Sequence, residues 1–174
     1  MRELETKRLL LRKLRKNDAE SIFGNWASDS EVAKYVTWNA HKDINETKAI
    51  LDMWLAEYDN DNCYRYGIEN NADGELIGMI DVVGYHHGNP VIGYCSCRRY
   101  WGNGFMTEAL GAVMKELAED GFDTFVIEAA EDNVASNRVI VKNGFQLVGK
   151  REDRLSEIKP QVVTINSYRY YVEK

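Results

Sequence analysis

Apolar residues along this chain follow two rhythms, and the switches between them mark its elements. Arg8 to Leu14 carries a short apolar run that reads as a first strand, after which Asn17 and Asp18 offer N-caps to a helix bearing Ile22, Phe23 and Trp26. Ser28 to Ser30 breaks that helix. Ile50, Leu51, Trp54 and Leu55 recur at helical spacing and predict a second helix from about Asn45 to Tyr58. Tyr64 to Glu69 and Leu76 to Val83 read as an antiparallel pair, because Asn70, Asn71, Ala72, Asp73 and Gly74 between them suit the positive φ angles of a hairpin turn. A further turn around Gly88, Asn89 and Pro90 leads to a strand over Val91 to Cys97.

The rhythm then changes. From Thr107, the positions Ala109, Leu110, Val113, Met114 and Leu117 form a helical stripe, and Gly121 suits the left-handed residue that closes a helix. Thr124 to Ala130 is almost wholly apolar, as a strand buried on both faces must be, so Val91 to Ala130 reads as strand, crossover helix and parallel strand. A short helix from about Ala135 to Asn143 stops at Gly144, and Phe145 to Lys150 with Val162 to Val172 predict a final hairpin with a long connection. The expected class is α+β: a mixed, mostly antiparallel sheet with one central parallel pair and flanking helices.

Length and charge narrow the function. At 174 residues the chain has room for about one compact domain, taken as residues 1–174, and no low-complexity stretch or long linker divides it. Twenty-two Lys plus Arg against 28 Asp plus Glu leave a net charge of −6, which argues against a nucleic-acid partner. The apolar runs fall far short of the ~20 residues that span a bilayer, and acids stand near the start where an export signal would be apolar. No membrane partner is therefore expected. Three cysteines, Cys63, Cys95 and Cys97, cannot all pair within the chain, which fits a reducing cytoplasm.

The informative chemistry lies in Tyr100, Trp101, Gly102, Asn103, Gly104, Phe105, Met106, Thr107, Glu108 and Ala109, a glycine-bearing turn between a strand end and a helix start. Two glycines let backbone approach an anion closely, and the free N–H groups of the first helical turn add the positive end of the helix dipole. No Lys-Ser or Lys-Thr follows Gly104, so this is no P-loop, and Thr107 stands where a dinucleotide fingerprint wants a third glycine. Taken alone, the turn serves equally well as plain structure. A second cluster, Asn133, Ser136, Val139, Lys142, Asn143, Gly144 and Phe145, follows the second parallel strand and so lies at the same sheet end. Asn133 also suits a helix cap, and capping does not exclude ligand binding.

YWGNGFMTEA followed by N-x-x-S-x-x-V-x-x-K-x-G-F resembles the GNAT superfamily of acyl-CoA-dependent N-acyltransferases, in particular the branch that includes ribosomal-protein alanine N-acetyltransferases. The opening LLLRKLRKNDAESIF, then ELIGMIDVV and VIGYCSC, resembles that branch in the same order, so the resemblance spans nearly the whole chain. It implies acetyl-CoA as acyl donor and no metal, with the pyrophosphate held by backbone amides of Trp101, Gly102, Asn103, Gly104, Phe105, Met106 and Thr107. It also implies a gap where Val91 to Cys97 and Thr124 to Ala130 splay apart, in which pantetheine lies like an extra strand. Tyr94 and Ser96 then supply main-chain groups, Asn133 contacts pantetheine, and Ser136 stands near the thioester sulfur as the candidate catalytic residue. Arg98 with Arg99, or Arg138 with Lys142, are candidates for the nucleotide phosphates.

Acyl transfer from a thioester needs a neutral amine, a polarised carbonyl and a donor for the departing sulfur. An α-amine has a reference pKa of ~8 and a lysine ~10, so a base helps at neutral pH. Asp81, His86, His87, Glu128 and Glu131 are the candidates, and the sequence does not choose among them. A strand N–H near Tyr94 or Cys95 is placed to polarise the carbonyl, and Ser136 to donate to sulfur. Cys95 and Cys97 are expected as buried structural thiols. The acceptor is expected to be a primary amine, either a protein N-terminus or a small cationic amine, with Trp26, Tyr35, Trp38 and Trp54 as candidate walls of its cleft. A monomer or homodimer is expected. Two other readings remain: a noncatalytic acyl-CoA-binding regulatory module, and a nucleotide-dependent oxidoreductase suggested by Gly102-x-Gly104.

Overall fold

The computed structural model describes residues 1–173. Its strands are β1 (Leu4–Glu5), β2 (Leu9–Arg12), β3 (Arg65–Asn70), β4 (Leu76–His86), β5 (Asn89–Ser96), β6 (Thr124–Ala130), β7 (Gln146–Ser156) and β8 (Lys159–Tyr171). Its helices are α1 (Ala19–Ile22), α2 (Ser30–Ala33), α3 (Ile44–Glu57), α4 (Phe105–Glu119) and α5 (Val134–Lys142), with 3-10 turns at Lys16–Asp18 and Arg98–Tyr100 and a π turn at Phe23–Ala27. One eight-stranded sheet runs in the order β1-β2-β3-β4-β5-β6-β8-β7. Every neighbouring pair is antiparallel except β5 and β6, joined by the crossover helix α4.

Each face of the sheet buries its own apolar cluster. On one side the α4 stripe Ala109, Leu110, Val113 and Leu117 is wholly shielded and packs with Leu9, Tyr66, Ile80 and Phe125. Full burial of a side chain such as Leu110 stabilises the fold by about 1.5–3 kcal/mol relative to exposure. On the other side Ile22, Trp26 and Leu51, brought by α1, the π turn and α3, meet Met79 and Cys95. The register sets this division: Met79 lies opposite Cys95 and Ile80 opposite Tyr94, so successive residues of one strand serve opposite faces.

Three expectations change on inspection. The first strand is only Leu9–Arg12, and Asp18 does not cap a simple helix. It is buried, receives the Arg12 guanidinium on both oxygens at 2.8 and 3.0 Å, and accepts the Arg15 amide at 2.7 Å. The segment after it is accordingly split among 3-10, α and π turns. The closing hairpin has no long connection, because Ser156 pairs with Lys159 and only Glu157 and Ile158 lie between the strands. Its charged half hides the alternation a strand usually shows. Cross-strand hydrogen bonds such as Thr164 Oγ1 to Glu152, at 2.6 Å, hold it extended at the sheet edge.

One departure from regular pairing positions the site. Among the described residues, β5 and β6 share a single register pair, Val91 with Val126. Past that point β5 stays paired with β4 as far as Ser96, and β6 with β8 as far as Ala130. The facing edges of the two strands are therefore left open to a third extended chain.

Candidate active site

A cleft of about 570 Å³ opens at this seam. Its walls are β5 from Tyr94 to Ser96, the turn from Tyr100 through Thr107 apart from Asn103, the start of α5, and the segment from Glu31 to Val36 that includes the end of α2. Sequence-distant groups thus meet here: Tyr94, Ser96, Trp101, Gly102, Gly104, Phe105, Met106, Thr107, Asn133 and Ser136 all line the cleft.

The glycine turn is built from its dihedral angles. Gly102 and Gly104 sit at φ +77° and +78°, a region that L side chains adopt at a cost. A β-carbon on Gly102 would meet nothing within 4 Å, so backbone conformation rather than crowding demands glycine there. Gly104 starts α4 without a side-chain cap, which leaves the first-turn amides of Phe105, Met106 and Thr107 available to an anion. The absence of a β-carbon, the free donors and the helix dipole together fit a diphosphate.

Arg8, which the sequence reading left unassigned, braces the turn from behind. Its Nε meets Glu108 Oε2 at 2.7 Å, its Nη1 donates to the Asn103 carbonyl at 2.9 Å, and its guanidinium lies 4.3 Å from the Phe105 ring centre. Glu108 also accepts from Thr6 Oγ1 at 2.7 Å and from the Arg8 amide at 2.9 Å. Burial raises its pKa, but these hydrogen bonds and the Arg8 charge outweigh that and hold the carboxyl below its usual range. Tyr100 is pinned in turn by its hydroxyl donating to Glu75 at 2.5 Å. Asn103 does not line the cleft: its side-chain amide folds back onto the carbonyls of Tyr100 and Trp101, at 3.2 and 3.1 Å. The Trp101 indole donates to the Ser96 carbonyl at 3.0 Å and ties the turn to the end of β5.

Across the cleft, Asn133 caps α5 by accepting the Ser136 amide at 3.2 Å. Ser136 Oγ lies 2.9 Å from the Tyr94 hydroxyl. Of the two basic pairs, Arg98 is engaged by Asp29 at 3.1 Å and Arg99 by Glu75, whereas Arg138 and Lys142 line the cleft and make no ion pair among the described residues. Cys95 also lines it, but burial pushes its thiol well above the ordinary range and keeps it protonated.

None of the five candidate bases lines the cleft. Asp81 is buried against Arg65, whose Nε donates to it at 3.1 Å; desolvation nevertheless raises its pKa to about 6, against the lowering effect of that arginine. His86 and His87 lie at the tip of the β4–β5 hairpin, away from the glycine turn. Glu128 accepts from Arg151 Nη2 at 2.8 Å and Ser167 Oγ at 2.9 Å, and the Arg151 hydrogen bond holds it below the usual range. Glu131 is paired with Lys150. Two further carboxylates that sequence spacing does not single out, Glu31 and Asp132, line the cleft and make no ion pair among the described residues. Of the four aromatic candidates only Tyr35 lines it; Trp26 is core, Trp54 carries Arg65 over its ring at 5.2 Å, and Trp38 leans on His41.

Comparison with known proteins agrees with this geometry. The acetyltransferase (GNAT) domain profile matches residues 8–146. The uncharacterized N-acetyltransferase YoaA of Bacillus subtilis is 34% identical over 152 residues, which cover 84% of each chain. The Microcin C7 self immunity acetyltransferase MccE, solved with acetyl-CoA and AMP, superposes with a TM-score of 0.84 at 21% identity over 96% of this chain and 94% of its own. An acetyltransferase from Salmonella typhimurium, described as modifying the N-terminal serine of ribosomal protein L7/L12, gives 0.82 at 19% identity over 99% and 100%. The seam, the glycine turn and the profile together make this chain a member of the GNAT acetyltransferase family. It is accordingly an acetyl-CoA-dependent acetyltransferase.

Proposed function

We propose that residues 1–174 act as one N-acetyltransferase domain, moving an acetyl group from acetyl-CoA to a primary amine by direct attack within a ternary complex. The observation that carries this reading is the meeting of three parts in one cleft: uncapped α4 amides behind Gly102 and Gly104, the unpaired edge of β5, and Ser136 in the first turn of α5. In this reading the amides from Gly102 to Thr107 hold the diphosphate, with Asn103 contributing only main chain; the Trp101 amide, expected among them, already donates to the Arg98 carbonyl at 3.1 Å. Arg138 and Lys142 hold the remaining phosphate, and the edge of β5 near Tyr94 and Ser96 takes the pantetheine amides. Asn133 orients Ser136, which donates to the departing sulfur. Juxtaposition of amine and thioester supplies much of the rate.

The acceptor we favour is a protein N-terminus. The Salmonella typhimurium relative is described as modifying an N-terminal serine, and Glu31 and Asp132 add negative charge to the cleft wall, which favours a cationic amine. With no candidate base lining the cleft, the proton of that ammonium leaves through solvent. The unpaired thiols suit a reducing cytoplasm. The test is incubation with acetyl-CoA and a panel of N-terminal peptides, polyamines and aminosugars, read by thiol release and product mass. A mass gain of one acetyl group on peptide α-amines supports the reading. Binding of acetyl-CoA without transfer to any amine would leave a noncatalytic acyl-CoA-binding module, and no binding at all would remove both.

A further inference from the structure

The sequence gives Tyr94 a role only through its main chain, yet its side chain reaches across the seam. Tyr94 lies on β5 beyond the last β5–β6 pair at Val91, and Ser136 lies in the first turn of α5. The Tyr94 hydroxyl is 2.9 Å from Ser136 Oγ and 3.3 Å from the Ser136 carbonyl oxygen. On the helix side, the Ser136 amide is held by Asn133 Oδ1 at 3.2 Å. The serine is thus fixed from two directions within a cleft that both residues line.

Either hydroxyl can donate across the 2.9 Å contact, and acidity favours one direction. A phenol is a far stronger acid than an aliphatic alcohol, so Tyr94 is the better donor and Ser136 Oγ the better acceptor. Burial pushes the Tyr94 hydroxyl well above the ordinary tyrosine range, which keeps its proton in place. When the single phenol proton goes to Oγ rather than to the more distant Ser136 carbonyl, the serine's own proton is left for an acceptor inside the cleft.

We propose that Tyr94 is a positioning residue for the transfer reaction: it orients the Ser136 hydroxyl so that the serine proton faces the sulfur of the departing thiol. This rests on the reading of Ser136 as the sulfur-side donor. In the transfer the N–C bond forms as the C–S bond breaks, the electron pair goes to sulfur, and the proton shed by the amine ends there. Neither hydroxyl is consumed. Ser136 lends a hydrogen bond while the sulfur is negatively charged, and Tyr94 keeps that bond aimed.

The test compares Tyr94→Phe, Ser136→Ala and the double variant at saturating amine, measuring kcat and the KM for acetyl-CoA separately. Tyr94→Phe should lower kcat about tenfold and leave KM within about twofold, the effect of one well-aimed hydrogen bond. Ser136→Ala should lose at least as much, and the double variant should be no slower than Ser136→Ala alone. Multiplying losses in the double variant, or a Tyr94→Phe effect confined to KM, would mean a mere tether and overturn the proposal. Wild-type kcat in Ser136→Ala would defeat the reading of Ser136 itself, whereas a slow Ser136→Ala beside a normal Tyr94→Phe would defeat this inference alone. If Tyr94→Phe melts early, 3-fluorotyrosine at position 94 keeps the shape and the donor. It should then retain wild-type kcat, and a tenfold fall would count against the proposal.

Discussion

Arg8 Nε rests 2.7 Å from Glu108 Oε2, joining two residues 100 positions apart and clamping the glycine turn from the side away from the cleft. The same guanidinium donates to the Asn103 carbonyl and covers the Phe105 ring. Arg8→Met should therefore loosen the turn without touching any reacting atom. The exchange should cost about 1 kcal/mol, since the pair is partly exposed, and lower Tm by roughly 2–4 °C. The KM for acetyl-CoA should rise several-fold with kcat nearly unchanged, as steady-state kinetics and thermal denaturation will report.

Gly102→Ala places a β-carbon in open space, so any effect comes from the backbone. At φ +77° an alanine costs roughly 1–2 kcal/mol, and part of that strain is relieved by letting the turn relax away from its anion-binding shape. Calorimetric titration should show acetyl-CoA affinity reduced about tenfold. An unchanged affinity would remove this turn from the phosphate site.

Arg138 and Lys142 stand four positions apart on α5, so they share a helix face that borders the cleft, and neither makes an ion pair among the described residues. Their expected partner is the monoester phosphate on the ribose of coenzyme A. The double variant Arg138→Gln with Lys142→Gln should raise the KM for acetyl-CoA roughly tenfold. It should leave the KM for acetyl-dephospho-CoA, which lacks that phosphate, where it is in the parent enzyme.

Asp81 makes stability depend on pH. Its folded pKa is raised to about 6 from 3.8, chiefly by burial and in spite of Arg65, so between those values the native state binds the proton more tightly than the unfolded chain does. Its contribution is therefore fully present below pH ~4 and lost as the pH rises through about 6, by the order of 2–3 kcal/mol. Asp81→Asn removes the titration. Urea unfolding should show the variant gaining on the parent by that amount between pH 4 and pH 7; a constant difference would place Asp81 outside this account.

Much of the framework was legible because period and burial coincide in this chain. The α4 stripe from Ala109 to Leu117 is buried, and Thr124–Ala130 is the sixth strand to the residue. The glycine turn was legible because positive φ and an uncapped helix start leave a local trace at Gly102 and Gly104. What escaped were relations without a local trace. Nothing near Arg8 announces Glu108, and nothing in Val91-Ile-Gly-Tyr94 says that the phenol rather than the peptide group reaches α5. The charged part of β7, Arg151–Ser156, looks like a connection in sequence because an edge strand facing solvent on both sides has no reason to alternate. Asp81 is a candidate base on sequence grounds, but its partner Arg65 lies across the ladder, where sequence spacing does not reach.

Among the described residues the single pairing of Val91 with Val126 divides the sheet into two panels. With a donor arm lying between them as proposed, amide hydrogen exchange along residues 92–96 should slow when acetyl-CoA is added, as happens when an edge acquires a neighbour. The donor then completes the architecture before it reacts. An acceptor arriving first would meet an unfinished wall, so ordered kinetics, with the thioester entering ahead of the amine, follow from a gap in the backbone rather than from any one side chain.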